Sequence, residues 1–542
     1  MTRGCGSALL VIALAAGLPL RFAQLDARPM HHDEANQAVK FGALLERGEY
    51  RYDARDHHGP TLYYLTLLAA WLRGQTTLAS LDEWTLRGVT AVFGLATILL
   101  LPLLSPAIGR TAVAAGALLM ALSPAMVFFS RMFIQESLFT GFALAFVISL
   151  GRVVGGGGRR WAAAAGVAAG LAVATKETAV IVLPAALIAC TLASLFRGGG
   201  ASAPPVKGPW AGSVFTGLLS AAAVALLFYS SFFTYPAGLL EPFRGARIYV
   251  DRGMFPVSHG HPWHYYLQLL TYSRSGGLWW SEGVVVVLAA VGGVLAWWPG
   301  GTAKTAPPLR DFWARYLTAY VVITTAIFSA IPYKTPWNVL PFYAGTIVLA
   351  GIGFSRLLSA IPSRALAAVV AFVCLAASIH LGRQAWRASV TYASDSRNPY
   401  VYAQTVPDAV RMATRIRELA ALHPAKEHMQ VSVIASPYEQ WPLPWYLRTM
   451  PNVGYWTAPG DPVAMQAPVI VASTENTGAL DALGDRYVSE FFGLRPEVLM
   501  ALYVDRGLWE RFLVSQGAAS NGASAHCGAG FTVALWRTAS AL

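Results

Sequence analysis

HHDEANQAVKFGALLERGEYRYDARDHHGP, residues 31–60, follows an apolar run at 6–24 and carries four histidines and six acids. The whole chain of 542 residues has only 28 acids, so this density is out of keeping with its surroundings. Asp33 and Glu34 come almost at once after the apolar run, which places them at a membrane surface if that run is a first membrane helix. Ala35–Leu45 has a helical apolar pattern that would lie along the same surface and hold Asp33 at the interface. The bland alternative is a solvated loop whose charges only face water.

Composition supports the membrane reading. Hydrophobic residues make up 55% of the chain and charged residues 13%, with 17 Trp and a mean hydropathy of +0.47. Soluble proteins carry about 25% charged residues, and a chain this long with so little charge cannot cover a water-facing surface. A soluble enzyme, a disordered chain and a disulfide scaffold are excluded. The four cysteines form no CxxC, and there is no P-loop, HExxH or N-x-S/T sequon. Gly151–Arg160 reads as a flexible loop, not a phosphate cradle.

Apolar runs at 6–24, 85–104, 111–128, 133–151, 161–175, 178–196, 211–233, 279–298, 313–331, 337–354 and 365–384 predict about eleven spans. The first is read as an uncleaved helix, since no clear signal-cleavage site follows it. Threaded from a cytoplasmic N-terminus, the inside connections hold Arg110, then Arg152/Arg159/Arg160, Arg197/Lys207, Lys304/Arg310 and Arg356/Arg364. All five are basic, as the positive-inside rule requires. Residues 1–384 carry 28 bases and 15 acids, so the chain's net +12 lies in the membrane part, and no nucleic-acid partner is needed to explain it.

Residues 26–84 and 234–278 then form two outer loops of a membrane domain over 1–384. Residues 385–542 hold 12 bases, 13 acids and no run long enough to span. Pro407 with DAVRMATRIRELAAL predicts an amphipathic helix, VSVIAS (431–436) and APVIVAS (467–473) predict buried strands, and 497–512 has helical period. The expectation is a small α/β domain outside the membrane.

Three groups of residues carry candidate chemistry. A second histidine cluster, SHGHPWHYY, holds His259, His261 and His264, so seven of the eleven histidines fall in the two outer loops. Imidazole with carboxylate suits a divalent metal, although the spacing alone is not specific. Arg131, Glu136, Lys176, Glu177, Glu241, Arg244, Arg247 and Lys334 lie near or within spans and on the same outer face. Bases that converge with acids there suit an anionic substrate, with mutual salt-bridging as the alternative.

HHDEA (31–35), DHHGPTLYYL (56–65), KTPW (334–337) and WPLPWYLR (441–448) together make the chain resemble the GT-C class of glycosyltransferases. Within the dolichyl-phosphate-mannose-protein mannosyltransferase and aminoarabinose transferase superfamily, it is most similar to the prokaryotic flippase-activity-associated proteins. The resemblance implies a polytopic α-helical membrane enzyme with an extracytoplasmic α/β domain. It implies a polyprenyl-phosphate-linked sugar donor and a protein, lipid or glycan acceptor, in the inner (plasma) membrane. Asp33 matches the catalytic base, Glu34 would support it and Glu136 matches a second acidic position. His58, His259 and His261 are the expected ligands of a divalent metal (Mg, Mn or Zn). Arg131, Lys176, Arg244, Arg247 and Lys334 are the expected phosphate ligands, and His31, His32, His57, Tyr333 and Trp337 the expected substrate contacts. The HHGP run replaces the Glu-Lys-Pro of the aminoarabinose transferase, so roles at 57–59 do not simply carry over. A transporter or flippase-assisting protein for lipid-linked sugars is the competing reading. The lack of an internal repeat and the placing of polar groups at one face count against it.

Overall fold

The computed structural model describes residues 3–53, 58–196, 210–255, 259–297 and 308–524. Asp56, His57, Arg197, Lys207 and Lys304 lie outside the described residues. The chain forms two compact units, Met1–Thr405 and Val406–Leu542. The division falls after Thr405 and not at 384/385, because Trp386–Thr405 is tied to the helical unit. Asn398 Nδ2 donates to the carbonyls of Ala388 and Tyr392, both 3.0 Å, and the Gln404 amide donates to the carbonyl of Pro29 at 2.8 Å.

Every apolar run read from the sequence contains a helix. The run 111–128 is split at Ser123 into Arg110–Leu122 and Pro124–Ser130, bent by 56°. Ser123 caps the second piece by accepting from the amide of Met126, and Pro124 takes the first helical position, where no donor is needed. The runs 133–151 and 161–175 become Glu136–Arg152 and Gly158–Val173, separated by a kink at Gly156 (φ 89°) that a residue with a Cβ would resist. Among the described residues, five helical stretches are long and apolar enough to cross a membrane, or six if the bent pair is one span. Four shorter apolar helices, Ala8–Phe22, Thr61–Leu72, Ala179–Leu195 and Gly283–Trp297, fall below that length. Length and composition thus give fewer spans than the eleven expected, in part because the runs 133–151 and 161–175 count as one helical stretch, Glu136–Val173.

The helices of the first unit pack backbone to backbone through small residues. A Cβ on Gly351 would meet the carbonyl oxygen of Ala112 at 2.3 Å, and one on Gly353 would meet that of Leu288 at 1.9 Å. Helix Leu340–Ala360 is therefore pressed against Arg110–Leu122 on one side and Gly283–Trp297 on the other. At the end of the last of these, the fully buried Glu282 accepts four hydrogen bonds. They come from Ser123 Oγ (2.6 Å), the Ala125 amide (2.8 Å), Tyr343 OH (2.7 Å) and Tyr400 OH (2.8 Å). Two short strands, β1 (Ser273–Ser275) and β2 (Leu278–Trp280), form a hairpin before it.

The second unit holds a five-stranded sheet of β3 (Val431–Ile434), β4 (Val453–Trp456), β5 (Val469–Ser473), β6 (Tyr487–Arg495) and β7 (Val498–Asp505). Its order is β4-β3-β5-β7-β6, with β3 parallel to β4 and β5, and β7 antiparallel to β5 and β6. The helices Pro407–Leu422 and Arg506–Ser524 belong to this unit. The helical period read over 497–512 is corrected: Val498–Asp505 is a strand and helix begins only at Arg506. Met500–Val504 are all buried, so β7 is apolar on both faces and its sequence lacks the alternation that marks a half-exposed strand.

Gly351→Ala tests the close packing. Its Cβ can be accommodated only by moving backbone, so the variant should lose about 1–3 kcal/mol of stability. A thermal melt of purified protein in detergent reads this directly, and an unchanged midpoint would contradict the packing described.

Candidate active site

The HHDEA segment builds its own helix start. His31 is the N-cap of helix His32–Arg47: its Nδ1 accepts from the amide of Asp33 at 3.1 Å, and Glu34 accepts from the amide of His31 at 2.9 Å. This is a capping box with histidine in the place usually taken by Ser or Thr. Gly48, at φ 67°, closes the other end. Asp33 and Glu34 both lie in the first turn, where the helix dipole favours carboxylates.

The two acids part company there. Glu34 is fully buried, and Arg87 grips it with two hydrogen bonds, Nε to Oε1 at 2.7 Å and a terminal nitrogen to Oε2 at 2.8 Å. It also accepts from the amide of Phe133 at 2.8 Å, and Arg28 approaches to 3.5 Å. Burial works against its ionisation, yet the charges of Arg87 and Arg28 with these bonds bring its pKa down to about 2. Both oxygens of Glu34 are thus occupied, and they tie the segment to Arg87 and the Phe133 amide. Asp33 keeps a side chain 41% exposed, with His31 Nδ1 at 3.7 Å from its carboxylate. Desolvation disfavours its charge, but the imidazoles of His31, His32 and His58 and the ammonium of Lys176 outweigh it and hold the carboxyl below the ordinary range.

Residues 58–60 dock on the ATKETA turn. A Cβ on Gly59 would lie 2.2 Å from the carbonyl oxygen of Ala174, so only glycine permits this approach. Thr61 secures it, its amide donating to that carbonyl at 3.3 Å and its hydroxyl meeting that of Thr175 at 2.7 Å. His58 is thereby set on Glu177, Nδ1 to Oε2 at 2.7 Å, while Tyr52 OH donates to the other oxygen at 2.8 Å. Desolvation lowers the His58 pKa, and the charge and hydrogen bond of Glu177 more than reverse this, raising it overall. The same partnership brings Glu177 down to about 2 despite its burial. Lys176 pairs with Glu136 and donates to Asn338 Oδ1 at 2.9 Å.

A second wall centres on Tyr402. His31 Nε2 meets its carbonyl at 2.8 Å, His259 Nδ1 meets its hydroxyl, and the rings of Trp337 and His261 lie 6.0 and 6.1 Å from its own. Gly260 and Tyr333 bridge the loops 259–261 and 331–334, and the Lys334 amide donates to the carbonyl of His259 at 3.0 Å. His31 belongs to both walls.

The structure redistributes several expected roles. Arg131 is buried and spends its guanidinium on the carbonyls of Leu20, Ala23 and Gln24, so it holds the chain after the first helix. Lys334 is buried and donates to the carbonyls of Ile331 and His261; desolvation lowers its pKa. Arg244 and Arg247 have side chains 65% and 91% exposed and pair with Glu241 and Asp251. Among the five expected phosphate ligands, Lys176 has a charge that lowers the Asp33 pKa.

The expected metal set does not assemble. His58 is held by Glu177, His259 by Tyr402, and His261 stacks on Tyr265 with ring centroids 4.3 Å apart. Among the described residues no group of three or more His, Cys, Asp or Glu is placed to hold a metal ion. Sequence reading singled out Glu177 only as a charge near a span and missed Tyr52, Asn338 and Tyr402. The ATKETA motif signalled the first. Tyr402 was hidden because its segment was assigned to the outer domain.

Residues 65–228 match the family model described as dolichyl-phosphate-mannose-protein mannosyltransferase. No curated protein matches the chain. ArnT from Cupriavidus metallidurans, solved bound to undecaprenyl phosphate, is 16% identical with a TM-score of 0.60, over 91% of this chain and 98% of ArnT. The oligosaccharyltransferase AglB from Archaeoglobus fulgidus, solved with an inhibitory peptide and a dolichol-phosphate, is 13% identical with a TM-score of 0.56, over 90% of this chain and 74% of AglB. The chain therefore has the GT-C membrane fold, as the sequence resemblance implied.

The depressed carboxyls set a pH dependence. Glu34 and Glu177 titrate near 2 in the folded state against an ordinary 4.5, so each contributes stability above that value and loses it as pH falls toward 2. The melting midpoint should fall as pH drops below about 4.5. Glu34→Gln, which leaves Arg87 buried without its counter-charge, should cost about 3–5 kcal/mol at neutral pH and flatten the acid limb. Melts of both proteins across pH would show it.

Proposed function

We propose that this GT-C-fold chain is a membrane glycosyltransferase. It moves a sugar from a polyprenyl-phosphate-linked donor to an acceptor hydroxyl on the extracytoplasmic face. The observation that carries this reading is Asp33: an ionised carboxylate, partly exposed at a helix N-terminus, beside His58 and Lys176 and with no hydrogen bond into the surrounding protein among the described residues. A carboxylate whose oxygens accept no hydrogen bond from the protein can take a proton from a hydroxyl. The hydroxyl oxygen then attacks the anomeric carbon as its bond to the phosphate oxygen breaks, and in-line attack inverts the configuration. The leaving phosphate gathers negative charge, which Lys176 and His58 are near enough to stabilise. Glu177 and Tyr52 orient His58 for this. Glu136 keeps Lys176 in place, and His31, Tyr333 and Trp337 of the Tyr402 wall serve as substrate contacts with His32.

The eleven helical runs, five basic connections and an N-terminus on the basic side support eleven spans, with residues 31–60 and the second unit on the outer, extracytoplasmic face. The cell inner membrane is the matching location. The second unit's sheet and helices support an outer α/β domain.

Asp33→Asn should fold and insert normally, because its carboxylate makes no hydrogen bond among the described residues and its pair with His31 is long at 3.7 Å, yet lose about 10²–10⁴ of transfer rate. The donor is identified as the lipid-linked sugar that accumulates in a deletion strain, by mass analysis. Transfer from that donor by purified variant in liposomes is then measured. Full activity in the variant sinks the assignment, as would wild-type protein that carries the lipid across the bilayer without transferring sugar. Glu177→Gln should reduce transfer less, by about tenfold to a hundredfold, and shift the basic limb of the pH–rate profile to lower pH as His58 loses its counter-charge.

A further inference from the structure

Helix Glu241–Met254 carries two arginines that the candidate site does not use. Phe243, Arg247, Val250 and Met254 follow one another at helical spacing and are all exposed, Phe243 at 79% and Arg247 with 91% of its side chain. The opposite face is turned to the protein. Gly245 is buried, Gly253 lies against Ile331 and its carbonyl accepts from the Tyr333 amide at 3.4 Å, and the ring of Tyr249 stacks over His58 at 6.3 Å. The helix follows the apolar helix Trp210–Tyr229 through a tight reversal in which Ser231, Phe232 and Phe233 all have positive φ, with Phe233 61% exposed. An exposed stripe of large apolar side chains with guanidiniums among them, next to the end of a candidate span, is the pattern of a helix lying in the lipid interface.

We propose that this face of Glu241–Met254 docks on the anionic phospholipid headgroups of the bilayer, with Phe243, Val250 and Met254 in the acyl boundary and Arg244 and Arg247 on lipid phosphates. Glu241 and Asp251 lie 2.7 and 3.7 Å from the two guanidiniums. Exposed pairs of this kind hold little energy, and each guanidinium keeps further donors for a phosphate. The helix has three arginines against these two acids, so its charge remains positive. Because its back face carries Tyr249 and the Tyr333 contact, the lipid-bound helix also forms part of the wall around His58. The proposal needs only that the chain spans a membrane and stands apart from the glycosyltransferase reading.

The test is hydrogen exchange on the full chain in nanodiscs of phosphatidylcholine, with and without phosphatidylglycerol. Amides of 241–255 should exchange roughly tenfold more slowly in the anionic discs, while helix His32–Arg47 exchanges alike in both. Arg244→Gln with Arg247→Gln should abolish the lipid difference and keep the protection seen in phosphatidylcholine. Phe243→Ser with Val250→Ser should lower protection in both lipids. Equal exchange of the wild-type helix in the two lipids overturns the proposal, and so does a lipid difference that survives the double arginine substitution. Protection that arises in phosphatidylcholine only on adding polyprenyl phosphate also overturns it, since the arginines would then serve the donor phosphate.

Discussion

The buried pair of Glu34 and Arg87 is the constraint on which the candidate site depends. Arg87 stands on helix Glu83–Leu99 and reaches the carbonyls of Leu25, Arg28 and Pro29 as well as the Glu34 carboxylate. Glu34 in turn holds the amides of His31 and Phe133. One ion pair thus joins the exit of the first helix, the start of the helix bearing Asp33 and the turn before Glu136. Arg131 secures the carbonyls of Ala23 and Gln24 just ahead of it. A chain leaving a helix has unsatisfied carbonyls, and buried ones must find donors. Here guanidiniums meet that need, and the rigid result keeps Asp33 at the edge of the packed unit.

The same logic explains why the basic residues expected to meet a phosphate are divided among different tasks. Arginine offers five donors in a fixed fork and remains charged when buried, so Arg87 and Arg131 suit multiple backbone carbonyls. Lysine is a point charge. Lys176 is balanced by Glu136 and Asn338 and still acts on Asp33, whereas Lys334 spends its ammonium on two carbonyls of the adjoining loops. Histidine replaces a cation only when a carboxylate supports it, which is what Glu177 supplies to His58. Each of these buried bases is thus set by a protein partner, a carboxylate or a group of backbone carbonyls, before any substrate arrives.

Much of this organisation is legible in the chain itself. The apolar runs predict the helices because a bilayer core leaves backbone groups no partner but their own helix. HHDEA announces a helix start with two acids in its first turn, and the density of acids and imidazoles between 31 and 60 marks that loop as special. Pro407 and the apolar runs at 431 and 469 predict their helix and strands correctly, while the run at 498 misleads because a strand buried on both faces has no alternation.

What composition and spacing could not decide is which of two adjacent acids is gripped by buried bases and which stays partly exposed. Asp33 and Glu34 are neighbours of like chemistry, and only the approach of Arg87, fifty-three residues away, separates them. Nor could they gather Glu177 to His58, Asn338 to Lys176 or Tyr402 to His31, since these contacts join segments 119, 162 and 371 residues apart. By itself the sequence determined the membrane class, the helical runs, the likeness to the GT-C proteins and the loop that bears Asp33. These follow from local hydropathy, helix caps and short motifs. The tertiary structure decided which charges are already paired and which stand open to a substrate, because pairing depends on distance in space, which local pattern does not encode.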